Sequence, residues 1–533
     1  MNKQMILAAV SLSTALLAAG IPAAQATGPS SPVTPGKRPL NIAQFGSAIQ
    51  SLSAARVAEI DAALTTANIP QVQGLFARNA LTSEELVKYY LRRIQRYDVD
   101  KLNSMTELNP DALEIAKALD AERQAGRVRG PLHGTVAVLK DIIGTGDKMH
   151  NTGGAKALRD AQSDRDAFAV KRLRDAGVVL LGKSSVTELG NFIAYSQKNG
   201  YSTLGGLVVN PYNPASEVSG SSTGSAVAVA ANFATFAIGE DSWGSLLLPA
   251  NANSAASFRP SVGMVSRDRI LPIVGAHDTL GPMARNVTDL ALVLDVMAAT
   301  DPNDPITIAA SRSERGFAQR LSGDGLRGKR VGVFNPMSAD DEAINTAMTS
   351  ALRNAGAQVV ALERLPSLVP GIFDELDPIT AYWVKFAGEQ YFAATNAPVR
   401  TWAEIVAFNE ADPADRVKYG QEYLVMTRDT TMTSAEYDRG YRAMLTTWQA
   451  KVDGIMAAGN LDFIAGTGNT LLDGVFFPAT GYPIMSLPAG YRANNEPVGF
   501  ILMGKLYGDA ALMRAGYALE QATRAWRPPS MAR

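Results

Sequence analysis

Cysteine is absent from the 533 residues of this chain, which excludes disulfide bonds, a thiolate nucleophile and cysteine metal sites. Histidine is scarce, and His133, His150 and His277 are scattered, so a histidine-rich zinc site is not expected. Positive charge is not in excess, because the net charge is -1 with 19% charged residues. We therefore expect no nucleic-acid partner. We also expect no cofactor, and we expect a small-molecule or peptide partner.

Long apolar runs are also missing after the first 26 residues, so stable membrane insertion is not expected. The exception, residues 1–26, has Lys3 ahead of an apolar run from Met5 and ends in Ala24-Gln25-Ala26. This order is typical of a cleaved export signal. A transmembrane anchor needs about 20 unbroken apolar residues, whereas polar, glycine and proline residues interrupt this run. The sequence predicts an exported protein, periplasmic or secreted.

The rest of the chain predicts one large domain preceded by an arm. Residues 27–68 form the predicted N-terminal arm, whose first part, 27–45, is rich in Pro, Gly and Ser. Residues 69–533 form the predicted single domain. Within it, the region around 370–450 reads as helical and rich in aromatics, and it is a candidate to cover the substrate. Aromatic side chains that merely pack helices together are the alternative.

Helices and strands alternate in the order typical of an α/β protein. Thr82 and Glu85 form a capping-box pattern at the start of an amphipathic helix. The segment "TVAVLKD", the helix "DAFAVKRLRDAG" and the segment "VVLLGKS" follow as strand, helix and strand. A second unit begins at "KRVGVFNP", and "LDFIAG" and "YPIMSLPAG" add strands late in the chain. This pattern predicts a parallel or mixed sheet covered by helices.

Two familiar motifs occur in the wrong context. "GVVLLGKS", residues 177–184, has phosphate-loop spacing, but a helix precedes Gly177 and a strand-like run follows it. Gly177 is better explained as the glycine that ends the helix. Residues 220–224, "GSSTG", match the nucleophile elbow of α/β-hydrolases, but no apolar strand precedes them and no histidine follows His277. Neither motif predicts function here.

The Ser/Gly run continues directly into "SAVAVAANFATFAIG", which predicts a closely packed helix and a strand, so the run is not a flexible linker. Loops at the ends of buried elements often carry catalytic groups. With histidine unavailable as a base for a serine nucleophile, lysine is the remaining candidate, because burial favours its neutral amine. Lys140 closes an apolar strand and fits this role, although a lysine in such a place is more often an ordinary surface residue.

Four segments together, "GPLHGTVAVLKD", "SGSSTGSAVAVAA", "GEDSWGSLLLPA" and "HDTLGPMARNVTDLALVLDVMA", resemble the amidase signature family in order and separation. "RGPLHG", "GSAVAVAAN", "GMVSRD" and the tail "YALEQATRAWRPP" are most similar to its bacterial peptide amidase branch. The resemblance spans about residues 75–529. It implies an α/β fold with a large mixed, mostly parallel β-sheet covered by helices on both faces.

The resemblance also implies a Ser-Ser-Lys triad and an acyl-enzyme. The lysine falls on Lys140, the serine that follows a cis peptide bond on Ser221, and the nucleophile on Ser245. The backbone N–H groups of the oxyanion hole fall on the four residues Ser242, Trp243, Gly244 and Ser245. The side chains of Ser222, Asp241 and Ser242 are candidates for supporting the loops, while Asp278, Thr279 and Arg285 are expected to be structural.

The implied function is hydrolysis of peptide C-terminal amides or other small amides. The common family sequence is roughly Gly-Gly-Ser-Ser-Gly-Gly-Ser followed by Gly-Thr-Asp-Thr-Gly-Gly-Ser-Ile-Arg. Typical residues of it are replaced here by Ser219, Thr223, Glu240, Trp243 and Leu247. None of them is a triad residue. The alternatives are a catalytically silent binding protein with this fold, or a carbamate or ester hydrolase using the same triad. An amidotransferase subunit is disfavoured by the export signal.

Overall fold

The part of the protein that follows the first 36 residues is built around one large sheet. A computed structural model describes residues 37–531 apart from 276, 311–312, 364–371 and 472–476. The predicted export signal, residues 1–26, and the start of the predicted arm therefore lie outside the described residues.

Within the described residues, eleven strands form one sheet in the order β1-β3-β2-β6-β8-β7-β12-β13-β11-β9-β10, and β4 and β5 form a separate small pair. The thirteen strands are β1 Met105–Leu108, β2 Val136–Lys140, β3 Val179–Ser184, β4 Tyr201–Ser202, β5 Gly206–Leu207, β6 Phe236–Asp241, β7 Ala256–Arg259, β8 Thr279–Ala284, β9 Arg330–Phe334, β10 Gln358–Leu362, β11 Phe463–Thr467, β12 Ile484–Tyr491 and β13 Pro497–Met503. The strands predicted from the sequence are all present.

The large mixed sheet is confirmed, and its parallel pairing is concentrated in two blocks. One block is β3-β2-β6 and the other is β11-β9-β10. The described strands between and beside these blocks pair antiparallel. The sheet is thus more antiparallel than the βαβ pattern predicts. One of these antiparallel pairs has a local cause, because residues 492–496 join β12 to β13 as a hairpin, and so short a connection can link antiparallel strands only.

Helices cover the sheet and follow their sequence signals closely. The α-helices of the described residues are α1 Gly46–Gln50, α2 Ala54–Leu64, α3 Ile69–Ala77, α4 Ser83–Arg93, α5 Ala112–Gln124, α6 Phe168–Asp175, α7 Thr223–Ala230, α8 Leu247–Ala252, α9 Val287–Met297, α10 Ile306–Ala309, α11 Glu342–Asn354, α12 Ile372–Ala394, α13 Trp402–Glu410, α14 Pro413–Arg416, α15 Glu422–Asp429, α16 Ser434–Ala458 and α17 Asp509–Thr523. The capping box of α4 forms as predicted, between Thr82 and Glu85. Gly177 ends α6 with a positive φ of 80°. Residues 177–184 are therefore not a phosphate loop.

The two faces of the sheet bury separate apolar cores. Along β2, Val136 and Val138 belong to one cluster, whereas Ala137 and Leu139 belong to the other. This alternation follows from the two-residue period of a strand whose two faces are both covered by helices. The predicted coverage of both faces is therefore present, and Lys140 follows directly after this doubly buried run.

Part of the predicted N-terminal arm is packed rather than free. Helices α1 and α2 lie within residues 27–68, and their residues Ile49, Ile60 and Leu64 are buried in one of the two cores. The arm prediction took the Pro, Gly and Ser content of residues 27–45 as its guide and missed the apolar side chains that follow. The region 370–450 is helical as predicted, from α12 to α16. No helix among the described residues is long and apolar enough to cross a bilayer.

Candidate active site

The site lies where two parallel strands end side by side. Strand β2 pairs in parallel with β6, with Leu139 opposite Ile238. The carboxyl ends of parallel neighbours meet at the same edge of a sheet, so Lys140 at the end of β2 lies beside Glu240 at the end of β6. Functional groups of α/β proteins commonly gather at this edge.

Lys140 is fully buried and bonded on three sides. Its Nζ lies 2.7 Å from Ser221 Oγ, 2.6 Å from Glu240 Oε2 and 3.1 Å from the backbone oxygen of Glu240. The surface-residue alternative for Lys140 is therefore excluded. A buried lysine amine in contact with a serine hydroxyl has the geometry of a base and the group it deprotonates.

Ser221 follows a cis peptide bond, as the resemblance implies. A Cβ added to Gly220 would lie 2.4 Å from Thr187 Oγ1, which explains why only glycine fits before Ser221. The backbone oxygen of Ser221 accepts a hydrogen bond from the N–H of Thr187 at 3.1 Å. These neighbours fix the backbone that presents the Ser221 hydroxyl to Lys140.

Ser245 lies in the loop between β6 and α8 and is half-buried. Its backbone oxygen accepts the N–H of Ser222 at 3.2 Å, which ties the two serine loops together. The hydroxyl of Ser245 donates no hydrogen bond to a described residue. Gly244 adopts a φ of 106°, in the region that favours glycine. Trp243 does not have a positive φ, so this bulky residue avoids the backbone region that favours glycine.

The carboxylate of Asp241 holds the nucleophile loop from inside. It accepts the N–H groups of Gly244 and Leu246, both at 2.7 Å. Arg259 Nε donates to the same carboxylate at 2.9 Å, and both side chains of this ion pair are fully buried. Asp241 thus supports the loop, as its candidate role suggested. Ser222 does the same for β6, because its Oγ donates to the backbone oxygen of Glu240 at 2.9 Å.

The expected oxyanion hole must be corrected at Gly244. The N–H of Gly244 points to Asp241, so it is already engaged within the loop. The N–H groups of Ser242, Trp243 and Ser245 donate to no residue in the described part of the chain. These three remain candidates to bind an oxyanion.

The Ser242 hydroxyl brings Glu240 and Asp278 into the site, and neither carboxylate was predicted from the sequence to belong to it. Ser242 Oγ lies 3.0 Å from Glu240 Oε1 and 2.6 Å from Asp278 Oδ1. Burial raises the pKa of Glu240 above its ordinary value, against the opposing effect of Lys140. Burial also raises the pKa of Asp278. The available signal was two adjacent acidic residues at the end of an apolar strand, in "FAIGED".

Of the three residues expected to be structural, two hold the fold and one belongs to the site. Arg285 donates to the backbone oxygens of Val229 and Ala234, and Thr279 begins β8, so both hold the fold. Asp278 belongs to the site instead. Next to it, burial lowers the pKa of His277 to about 3, which keeps this imidazole neutral.

Comparison with known proteins identifies close relatives of this architecture. A sequence profile of the family described as Amidase matches residues 85–466. A probable amidase of Arabidopsis thaliana is 34% identical over 474 residues, which cover 87% of this chain and 91% of that protein. The structure of native peptide amidase from Stenotrophomonas maltophilia aligns with a TM-score of 0.83 and 36% identity, over 88% of this chain and 99% of that one. An amidase family protein from Bacillus anthracis aligns with a TM-score of 0.85 and 33% identity, over 92% and 97%.

Proposed function

The chain belongs to the amidase family and is an amide-hydrolysing enzyme, and from this premise we propose a reaction through an acyl-enzyme on Ser245. Lys140 is the base, and Ser221 passes the proton from Ser245 to Lys140. The observation that carries this proposal is the 2.7 Å contact between Lys140 Nζ and Ser221 Oγ in a fully buried setting.

The reaction begins with two linked proton transfers. The neutral amine of Lys140 accepts the proton of Ser221, and Ser221 accepts the proton of Ser245 as its Oγ attacks the amide carbonyl carbon. The tetrahedral intermediate then collapses and the C–N bond breaks, while the proton held by Lys140 returns through Ser221 to the leaving nitrogen. Water attacks the acyl-enzyme by the same route, which releases a carboxylic acid and regenerates Ser245.

The negative oxygen of the tetrahedral intermediate needs N–H donors that are free before the reaction. The N–H groups of Ser242, Trp243 and Ser245 meet this condition, whereas Gly244 does not. A donor of this kind typically contributes about 3 kcal/mol to the transition state. The ion pair of Asp241 with Arg259 keeps the loop in place during the reaction.

We propose peptide C-terminal amides or other small amides as substrates. The similarity to the peptide amidase of Stenotrophomonas maltophilia supports this class. Trp383 of α12 and Asp278 line the same cavity of about 360 Å³, so the helical region reaches a residue of the site. Export of the enzyme, proposed from residues 1–26, would place it where extracellular peptides are met.

A fluorophosphonate that reacts with activated serines tests the proposal directly. We expect it to modify Ser245 in the wild-type protein, as located by mass spectrometry of peptides, and to leave Ser245→Ala unmodified. A screen of peptide amides, anilides, carbamates and esters, with released ammonia or amine measured, then identifies the substrate class. Absence of both labelling and turnover in the folded protein would instead support the silent binding protein.

A further inference from the structure

Glu240 stands where the family text has threonine, and two of its oxygens contact the lysine of the proposed triad. Its Oε2 lies 2.6 Å and its backbone oxygen 3.1 Å from Lys140 Nζ. The exposed fractions of the two side chains are 1% and 0%. Resting on the function proposed above, we propose that Glu240 is a positioning residue of the same reaction. Its carboxylate holds the Lys140 amine toward Ser221 and balances the charge that this amine gains on accepting the proton.

The count of donors and acceptors around Lys140 supports this role. A neutral amine has two N–H donors and one lone pair. Its partners are two oxygens of Glu240, of which the backbone oxygen and an ionised carboxylate can only accept, and one hydroxyl, on Ser221. Both N–H groups are therefore directed to Glu240, and the lone pair is left facing the Ser221 hydroxyl. This is the orientation that proton transfer from Ser221 requires.

The other carboxylate oxygen of Glu240 is held by Ser242. The Ser242 hydroxyl has one proton, yet it contacts both Glu240 Oε1 at 3.0 Å and Asp278 Oδ1 at 2.6 Å. It donates to only one of them, so the second contact requires a proton on one of the two carboxyls. Two buried carboxyls joined by one hydroxyl thus share one proton.

The charges around the pair decide where that proton resides. Lys140 on β2 faces Glu240, while Asp278, which precedes β8, faces Ser242. The N–H groups of Ile273 and Val274 donate to Asp278 at 2.9 and 2.8 Å. An ammonium in direct contact stabilises an anion more strongly than such neutral donors do.

Two neighbouring ion pairs do not reverse this order. Asp241, the next residue on β6, is paired with Arg259 of β7. Arg267 is paired with Asp304 at 2.5 Å and also lowers the pKa of Asp278. The ammonium of Lys140 therefore places the negative charge on Glu240 and leaves the shared proton on Asp278.

The role predicts a specific change in pH dependence. A carboxylate in contact favours the ammonium form of the lysine, which is inactive as a base. In Glu240→Gln the side-chain and backbone oxygens still accept the two N–H groups, and the amide nitrogen can donate to Ser242, but the negative charge is gone. The lysine is then neutral at lower pH. The charge that develops on it during proton transfer is no longer balanced.

The rate of fluorophosphonate labelling of Ser245 against pH measures both effects. For Glu240→Gln we expect the acid limb of the profile to move by about one pH unit or more toward acid. We expect the plateau rate to fall about tenfold to a hundredfold. Glu240→Thr, which restores the common family residue, should move the limb in the same direction and serves if the glutamine variant does not fold. Glu188→Gln is the matched control, because Glu188 is equally buried but bonds Thr203 instead of Lys140.

Different outcomes would refute the role of Glu240 and the proposed function. Labelling of the wild type at Ser245, with an unmoved acid limb in both folded Glu240 variants, would overturn the role of Glu240 and leave the triad standing. A limb that moves equally in Glu188→Gln would also overturn it. Failure to label wild-type Ser245 at any pH would refute the proposed function itself, and with it the role of Glu240.

Discussion

Removing the charge of Asp241 should lower the free energy of unfolding and also abolish activity. In Asp241→Asn, one side-chain oxygen remains to accept hydrogen bonds, and the new NH2 group faces the N–H of Gly244 or of Leu246. Arg259 also keeps its positive charge with no carboxylate beside it. Removing one partner of a fully buried ion pair typically costs about 3–5 kcal/mol. We therefore expect the free energy of unfolding of Asp241→Asn to fall by this amount.

Urea unfolding followed by tryptophan fluorescence measures the change, as a lower midpoint at an unchanged dependence on urea. Arg259→Met should cost a similar amount, since it leaves the Asp241 carboxylate buried and unpaired. The double variant should lose at least about 2 kcal/mol less than the sum of the two, because the side chains are in contact. Activity should be lost in all three variants, since Gly244 and Leu246 flank the nucleophile.

The matched control is Asp111→Asn. Asp111 pairs with Lys148, and their side chains are 42% and 67% exposed; such exposed pairs contribute about 0–1 kcal/mol. Two results would refute the reasoning. One is an Asp241→Asn midpoint equal to that of the wild type, and the other is strictly additive costs in the double variant.

The remaining predictions concern the triad, one buried carboxyl and export. Ser245→Ala and Lys140→Ala should each reduce amide hydrolysis to background without additive losses, whereas Ser221→Ala should keep slow labelling by a reactive fluorophosphonate; labelling lost in Ser221→Ala and kept in Ser245→Ala would reverse the two serines' roles. Burial raises the pKa of Glu188 from 4.5 to about 8, so its folded form binds the proton more tightly and stability should fall as pH rises through this window, by on the order of 5 kcal/mol. Glu188→Gln should flatten this slope in urea unfolding at several pH values, and an unchanged slope would contradict the assignment. Mass spectrometry of protein from its own host should find a mature chain that begins near Thr27, and an intact Met1 would contradict export.

The sequence predicted the parts of the fold that depend on local signals. The capping box of α4, the glycine that ends α6 and the strand that ends at Lys140 are each set by neighbouring residues, and each is present. The antiparallel centre of the sheet was not predicted, because a βαβ pattern specifies the parallel blocks and is silent about the direction of the strands between them. Helices α1 and α2 were missed because their apolar residues gain meaning only from the core they cover.

The site also contains features that the sequence predicts and features that depend on the folded chain. The triad positions follow from the family pattern, and the structure joins Lys140 to Ser221. The contact of Lys140 with Glu240 spans 100 residues of chain and depends on the parallel register of β2 with β6. Nothing within "FAIGED" reveals that register. The use of the Gly244 N–H by Asp241 likewise depends on the folded shape of the loop.

The departures from the family sequence at Leu247, Trp243 and Glu240 are compatible with a working site. Leu247 stands where the family has arginine, and it is fully buried in the apolar core at the start of α8, so it contributes packing instead of charge. Trp243 packs against both cores while Gly244 takes the positive φ of the loop. The loss of a cation at Leu247 and the gain of an anion at Glu240 make the site more negative by two charges than the family text. Of these two substitutions, Glu240 is the one that acts on the proposed base, because its carboxylate contacts the Lys140 amine directly.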